Sequence, residues 1–171
     1  MQKLKLTKVK QKDNEKVKNA TRVVYDGIEF KSKLEAFCYA EGLRRGYKLR
    51  YEELKIVLHE GEVYDCYMYA PITTSKFIEK RTNLQLVHRG QSITYNPDFH
   101  IWIKNTLNEN VLVVLECKGL KTSTYNLKKN LFVSMYNKKY GQNFYFLEPH
   151  NQKQIKQAFD IIDDLSNKNN N

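Results

Sequence analysis

The fold can be predicted outward from the stretch VLVVLECK, residues 111–118. Its first five residues, Val111–Leu115, form an unbroken apolar run, which is typical of a β-strand buried on both faces. The run ends in the polar residues Glu116 and Lys118, with Cys117 between them. A strand of this kind belongs in the middle of a sheet that is covered on both sides. Its polar end is therefore expected at one edge of that sheet.

A second strand is predicted over Ile93–Ile103, before a turn rich in asparagine. Antiparallel pairing about a turn centred near Leu107 places Asp98 directly opposite Glu116. Directly opposed residues have Cβ atoms roughly 4.5–5.5 Å apart. The two carboxylates are thus expected to meet where the paired strands end.

Side-chain alternation adds a third group to this pair, because Glu116 and Lys118 share one face of the strand while Cys117 points into the core. Two carboxylates this close repel each other unless a cation lies between them. Mg²⁺ suits such a place, since it takes oxygen ligands from one or two carboxylates together with waters and phosphate. A neighbouring ammonium can offset charge that builds on a phosphate. The alternative is a cross-strand salt bridge on an exposed sheet face.

The remaining pattern, helix, strands, helix, strand, helix, predicts an α/β fold. The apolar surface of the second helix is assigned to Leu127, Leu131, Val133, Met135 and Tyr136, and Trp102 is assigned to the core. The predicted helices are Ser32–Arg45, Thr122–Tyr140 and Asn151–Leu165. Further strands are predicted within Arg22–Phe30 (a hairpin turning at Asp26-Gly27), Tyr47–His59, Leu84–Val87 and Phe144–Leu147.

Length and charge narrow the class of protein. The 171 residues suffice for one domain with a core, and 29 Lys and Arg against 19 Asp and Glu give a net charge of +10. This balance favours a polyanionic partner, most commonly nucleic acid. No apolar run is long enough for a transmembrane helix, no secretory signal is evident, and the three cysteines suit neither a disulfide framework nor a zinc cluster. We expect a cytoplasmic protein that does not bind membranes.

The chain divides into three parts. Residues 1–19 are predicted to be a basic flexible arm, residues 20–165 the folded domain, and residues 166–171 a disordered tail. Within the domain, residues 61–83 are polar and aromatic without a clear period. They are interpreted as an insertion or a long hairpin.

Four segments together carry a resemblance to a known family: YDGIEFKSKLEA at 25–36, TYNPDF at 94–99, ECKG at 116–119 and KTSTYNLKK at 121–129. Asp98 with Glu116-x-Lys118 resembles the PD-(D/E)xK signature of restriction-endonuclease-like nucleases. The four segments are similar to a phage-encoded branch that includes endonuclease I-type Holliday junction resolvases. The resemblance implies a restriction-endonuclease-like core, with a mixed central β-sheet flanked by helices in αβββαβ order. It also implies a metal-dependent DNA endonuclease of the host-cell cytoplasm.

The resemblance also implies a set of site residues. Glu35, Asp98, Glu116 and Lys118 would be catalytic, with Mg²⁺ (or Mn²⁺ as a substitute) bound by the three carboxylates and by the backbone carbonyl of Cys117. Glu35 has a competing explanation, because a Ser and a Glu three residues apart form a capping box at a helix start. Branched DNA is the expected substrate and a homodimer the expected assembly, since resolving a junction takes two symmetric cuts. No small-molecule cofactor is expected. The alternatives are a nuclease or nickase of linear or foreign DNA, and an inactive nucleic-acid-binding module.

Three lysines near the start of the second predicted helix are candidates for DNA binding: Lys121, Lys128 and Lys129. A solvated basic face explains the same pattern equally well.

The basic arm gives a testable prediction. If the lysines of the arm contact phosphates, deletion of residues 1–19 removes the counterion release that these contacts cause. The plot of log affinity for duplex DNA against log salt concentration then becomes less steep. Fluorescence anisotropy over a salt series, with the full chain as the reference, measures this slope. An unchanged slope would exclude phosphate contacts by the arm.

Overall fold

A computed structural model of the chain describes residues 21–61, 91–118 and 122–166, together with the backbone of residues 7–8, 66–69 and 84–87. The described strands in chain order are β1 (Thr7–Lys8), β2 (Val23–Tyr25), β3 (Ile28–Phe30), β4 (Arg50–Tyr51), β5 (Ile56–His59), β6 (Cys66–Tyr69), β7 (Leu84–Val87), β8 (Ile93–Tyr95), β9 (Phe99–Lys104), β10 (Asn110–Leu115) and β11 (Phe144–Leu147). The described helices are α1 (Lys33–Arg44), α2 (Ser123–Tyr140) and α3 (Gln152–Leu165), and a 3₁₀ turn covers Gly141–Asn143.

The central sheet has the strand order β11-β10-β9-β4. β10 lies antiparallel to β9 and parallel to β11, and β4 is antiparallel to β9, so the sheet is mixed as predicted. Val113 stands opposite Ile101 and Leu115 opposite Phe99, which confirms the predicted register. Every residue from Val111 to Leu115 is buried. β10 is the doubly covered strand that its apolar run indicates.

The prediction of one strand over Ile93–Ile103 is wrong, because the chain bends at residues 96–98 and forms β8 and β9 in different sheets. β8 pairs with β5 in a separate two-stranded sheet. Pro97 has no N–H to give to a ladder. The neighbouring Asp98 uses its carbonyl to accept from the Glu52 N–H at 2.9 Å. The bend places Asp98 at the point where β9 begins.

All three predicted helices are confirmed to within a residue. A polar side chain caps the N-terminus of each by accepting a backbone N–H three residues on: Ser32 for α1, Thr122 for α2 and Asn151 for α3. The first hairpin is confirmed as well, since Asp26 and Gly27 both have positive φ, at 52° and 76°. Such angles fit the two central positions of a type I′ turn.

The sheet separates two apolar cores. On one face, α1, α3 and the β2–β3 hairpin pack against the sheet around the fully buried residues Phe30, Phe99 and Phe159. On the other face, α2 and the β5–β8 pair enclose Phe132 and Tyr95. Both cores extend to the polar end of β10.

The buried face of α2 differs from the prediction, because Leu127, Leu131 and Met135 are exposed while Phe132 and Tyr125 are buried. Val133 and Tyr136 do pack against this core. The helix carries two apolar stripes, and the aromatic one buries more surface in the sheet. Trp102, expected in the core, is instead 46 % exposed and rests edge-on against Tyr140.

Several predicted boundaries reach into residues outside the described ones. β6 lies within residues 61–83, the region predicted as an insertion or a long hairpin. It pairs in antiparallel fashion with β7, which confirms the strand predicted over Leu84–Val87, while residues 62–65 and 70–83 are not described. In the predicted arm, β1 pairs with β2. Ser166 ends α3, and residues 167–171 are not described. No helix in the described part of the chain is long and apolar enough to cross a membrane.

Gly42 lets α1 approach its neighbours closely and yields a prediction. A Cβ atom there would lie 2.7 Å from Leu49 Cδ1, 2.9 Å from Leu49 Cγ and 3.1 Å from Phe159 Cζ. Both neighbours are buried and have little room to move. We expect Gly42→Ala to lower the free energy of unfolding by about 1–3 kcal/mol, although alanine is the better helix former.

Urea denaturation measures this cost, and Leu49→Ala provides the control background. Truncating Leu49 removes the atoms that the new methyl group meets, so the cost of Gly42→Ala should shrink in the double variant. An equal cost in both backgrounds would contradict the packing explanation.

Candidate active site

The candidate site lies where β9 and β10 stop pairing. The last paired residues are Phe99 and Leu115, so Asp98 and Glu116 follow immediately on opposing chains. The Asp98 N–H donates to Glu116 Oε2 at 3.2 Å. The predicted juxtaposition of these two carboxylates is therefore present in the fold.

Glu116 is almost fully buried and is held by three donors. Oε2 accepts from the Tyr95 hydroxyl at 2.9 Å as well as from the Asp98 N–H. Oε1 accepts from the Lys118 Nζ at 3.2 Å. Its backbone N–H also donates to the Leu147 carbonyl, which extends the β10–β11 ladder by one bond. Burial with this many partners fixes the Glu116 carboxylate in one position.

The negative charge of the Asp98 carboxylate is balanced by fewer hydrogen-bond donors than that of Glu116. Its Oδ2 accepts from the Cys117 N–H at 2.8 Å. Burial, followed by the negative charges of Glu116 and Glu35, raises the pKa of the Asp98 carboxyl well above its ordinary value, and the Cys117 N–H and the Lys118 ammonium offset this only in part. A carboxylate in such a position gains from any cation that reaches it.

Cys117 turns its side chain away from these charges. Its thiol is buried in the core beside Cys38, and the contact with Cys38 together with burial raises its pKa well above the ordinary value. The sulfur is therefore a neutral thiol rather than a metal-binding thiolate. Both cysteines are free. The prediction that Cys117 points into the core is confirmed.

Glu35 forms the predicted capping box and lies near the carboxylate pair. Its Oε1 accepts from the Ser32 hydroxyl at 2.8 Å, and its Oε2 accepts from the Lys31 N–H at 3.1 Å and from the Tyr51 hydroxyl at 2.7 Å. It is buried, and its charge contributes to the raised pKa of Asp98. The two explanations that compete for Glu35 in the sequence are thus compatible in the structure.

The donor set is suited to a hard cation. Among the described residues, no group of three or more His, Cys, Asp or Glu side chains is placed to hold a metal ion. Mg²⁺ needs fewer, because it keeps several waters and commonly takes only one or two carboxylates from the protein. Asp98 and Glu116 supply such a pair, and the neighbouring Cys117 thiol is directed elsewhere. The residues present therefore fit a magnesium ion with an incomplete protein shell.

The three lysines proposed for DNA binding have different surroundings. Lys129 Nζ donates to Glu148 Oε2 at 2.9 Å, and the Lys129 side chain is partly buried. Lys128 is half-buried on the same turn of α2. Lys121 lies outside the described residues. The charge of Lys129 is already balanced, so Lys128 is the better candidate of the two described.

Sequence reasoning missed the tyrosines that surround the site. Tyr95 binds Glu116, Tyr51 binds Glu35, and Tyr125 lies beneath the Lys118 ammonium with the ring centroid 4.4 Å from Nζ. Tyr95 stands three residues before Asp98, and Tyr125 is within the KTSTYNLKK segment of the resemblance. These positions beside the motif residues are the sequence features that could have pointed to Tyr95 and Tyr125 as part of the site. His100, two residues after Asp98, is buried, and burial lowers its pKa.

The chain belongs to a family described as a protein of unknown function, DUF1064, whose model matches residues 15–145. The matched region contains Glu35, Asp98, Glu116 and Lys118. Searches among curated proteins and among solved structures gave no match.

The electrostatics of Asp98 give a prediction about stability. Because its pKa is raised in the folded state, Asp98 favours folding at low pH, and this contribution is lost as the pH rises through the raised pKa. Asn at this position keeps an oxygen for the Cys117 N–H and carries no charge. We expect Asp98→Asn to raise the free energy of unfolding at pH 7 by on the order of 1–2 kcal/mol, and by much less near pH 4.

Thermal and urea unfolding at both pH values test this, with the exposed Glu109→Gln as the matched loss of a carboxylate elsewhere. Glu109 lies in the turn between β9 and β10, far along the strands from Asp98. If Asp98→Asn instead lowers the free energy of unfolding at pH 7, the ionised Asp98 carboxylate does not destabilise the folded protein.

Proposed function

We propose that this protein is a metal-dependent DNA endonuclease with a restriction-endonuclease-like core, and that its preferred substrate is branched DNA such as a Holliday junction. The observation that carries the proposal is the meeting of Asp98, Glu116 and Lys118 at the end of the β9–β10 pair. The mixed sheet, with α1 before it and α2 between β10 and β11, is compatible with the αβββαβ order of that fold. The sequence resemblance supports the same class.

Asp98 and Glu116 would hold Mg²⁺, or Mn²⁺ in its place, with help from the Cys117 carbonyl and Glu35. When bound, the metal lowers the pKa of a water molecule and offsets phosphate charge. The raised pKa of Asp98 indicates that its carboxylate gains by binding a cation. The hydrogen bonds from Tyr95 and the Asp98 N–H keep the Glu116 carboxylate from turning away from this place.

The reaction is the hydrolysis of a phosphodiester. A water oxygen attacks phosphorus, the bond from phosphorus to the 3′ oxygen breaks, and the water proton ends on the leaving oxygen. Lys118 places a positive charge beside Glu116, where it can orient the water and stabilise the charge that grows on the phosphate. Glu35 adds negative charge near Asp98 and so strengthens the attraction for a cation.

Contact with the DNA backbone is assigned to the side of the domain that carries α2. This helix contains Lys128, Lys129, Lys138 and Lys139 and no acidic residue. Its N-terminal turn adjoins Lys118 through Tyr125. Phosphate contacts of this kind position a duplex without reading its sequence. A homodimer would bring two such sites to the two strands of a junction that must be cut.

A cleavage assay tests the proposal. Labelled four-way junction and linear duplex of matched sequence are incubated with the protein in Mg²⁺, in Mn²⁺ and in EDTA. We expect paired cuts near the branch point that need either metal. We also expect Asp98→Asn, Glu116→Gln and Lys118→Met to lose about two or more orders of magnitude in rate, because each removes a group that acts on the metal or phosphate.

The control is Glu109→Gln, an acid-to-amide change at an exposed turn, which should cleave like the unaltered protein. Thermal unfolding supplies a second measurement: Mg²⁺ should raise the melting temperature of the unaltered protein but not that of Asp98→Asn. Equal cutting of junction and linear DNA would support the proposed nuclease activity and exclude a preference for junctions. Binding without cleavage in either metal would leave a DNA-binding module and refute the proposal.

A further inference from the structure

The face of the Tyr125 ring lies against the Lys118 ammonium group. The Lys118 Nζ lies 4.4 Å from the centroid of the Tyr125 ring and 3.2 Å from Glu116 Oε1. The ammonium is therefore held between a carboxylate and an aromatic face. A cation within about 6 Å of an aromatic ring centroid is attracted by the electron-rich face of the ring, most strongly where water is excluded. Tyr125 is buried, so the ring is shielded, while the Lys118 side chain is 31 % exposed and water still reaches it from the other side.

The Tyr125 ring is itself fixed from both ends. Its hydroxyl donates to Glu148 Oε1 at 3.0 Å, and Glu148 Oε2 accepts from Lys129 Nζ at 2.9 Å. Its backbone N–H donates to Thr122 Oγ1, the cap of α2, at 3.1 Å. These hydrogen bonds favour one conformation of the Tyr125 side chain. A second cation, Lys129, lies 5.6 Å from the same centroid.

The backbone of Lys118 is anchored separately from its side chain. Its N–H donates to the Pro149 carbonyl at 3.2 Å, and its carbonyl accepts from His150 Nδ1. These bonds place the Cα atom but leave the side-chain torsions free. A lysine side chain has many rotamers and loses conformational entropy when it is held in one of them. The contacts with Tyr125 and Glu116 are the ones that choose among its conformations.

We propose that Tyr125 is a positioning residue, which holds the Lys118 ammonium beside Glu116 in the orientation needed for phosphate chemistry. The proposal rests on the proposed nuclease function for its catalytic consequence. The ring alone carries the effect, because the cation meets its face. The hydroxyl and Glu148 add to an orientation that the buried position of the ring in the α2 core already sets.

Kinetics separate this role from a purely structural one. Tyr125→Phe keeps the ring and should retain kcat within about threefold, whereas Tyr125→Leu removes it and should lower kcat by about tenfold with KM changed by less than about threefold. The matched control is Tyr136→Leu. Tyr136 lies on the same helix and packs against Phe132 at 4.5 Å between ring centroids, so its loss weakens α2 without touching Lys118.

A spectroscopic measurement tests the contact without cleavage. In protein labelled with ¹³C-lysine, the ε-methylene signal of Lys118, assigned by its absence from Lys118→Met, should be displaced upfield by the ring current of Tyr125. The displacement should persist in Tyr125→Phe and disappear in Tyr125→Leu. It should remain in Tyr136→Leu.

The outcomes are distinct. An undisplaced Lys118 signal in the unaltered protein, or equal losses of kcat in Tyr125→Leu and Tyr136→Leu, would overturn the positioning role. If the unaltered protein cleaves no DNA, the proposed function fails, and the lysine signal still decides whether Tyr125 holds Lys118. If Tyr125→Leu does not fold, the unaltered protein and Tyr125→Phe decide by the same signal.

Discussion

The antiparallel pairing of β9 with β10 is the constraint on which the rest of this structure depends. The register that sets Val113 against Ile101 also sets Asp98 against Glu116 one step beyond the last pair. A shift of one residue would exchange the two faces of β10 and separate the two carboxylates. Since Val111–Leu115 is buried in closely packed cores on both faces, such a shift would force both cores to repack. The stability of the fold and the geometry of the site thus have the same origin.

The charges at this edge are unequally compensated. Glu116 receives three hydrogen bonds, including one from the Lys118 ammonium, whereas Asp98 receives the Cys117 N–H and faces two other carboxylates. The structure tolerates this imbalance because the packing of α1 fixes Glu35, and the paired strands β9 and β10 fix Asp98 and Glu116 at their ends. A site that is unfavourable for its own carboxylate is favourable for an incoming cation. For this reason we propose the metal site here rather than at the lysine-rich surface of α2.

Tyrosines form the walls of the site and connect it to both cores. Tyr51 packs on Phe99 in the core beneath α1 and binds Glu35, while Tyr95 packs on Phe132 in the core beneath α2 and binds Glu116. Each ring thus has an apolar body in the core and a hydroxyl at a carboxylate. Tyr125 differs, because it presents its face to the Lys118 ammonium and directs its hydroxyl to Glu148. Packing and electrostatics are thereby coupled, and a change in either core reaches the site.

Local pattern by itself determined the helices with their caps, the Asp26-Gly27 turn, the doubly buried β10 and, through its register, the meeting of Asp98 with Glu116. These features follow from neighbours close in the chain or from one hairpin, where periodicity and turn chemistry suffice. Tertiary structure alone decided the pairing of β8 with β5 outside the central sheet, the choice of the aromatic stripe of α2 over its leucine stripe, and the placing of Tyr125 under Lys118. Each of these depends on which distant surface an element meets, and the sequence pattern allows more than one choice. The core resolves that choice by burying the larger aromatic area.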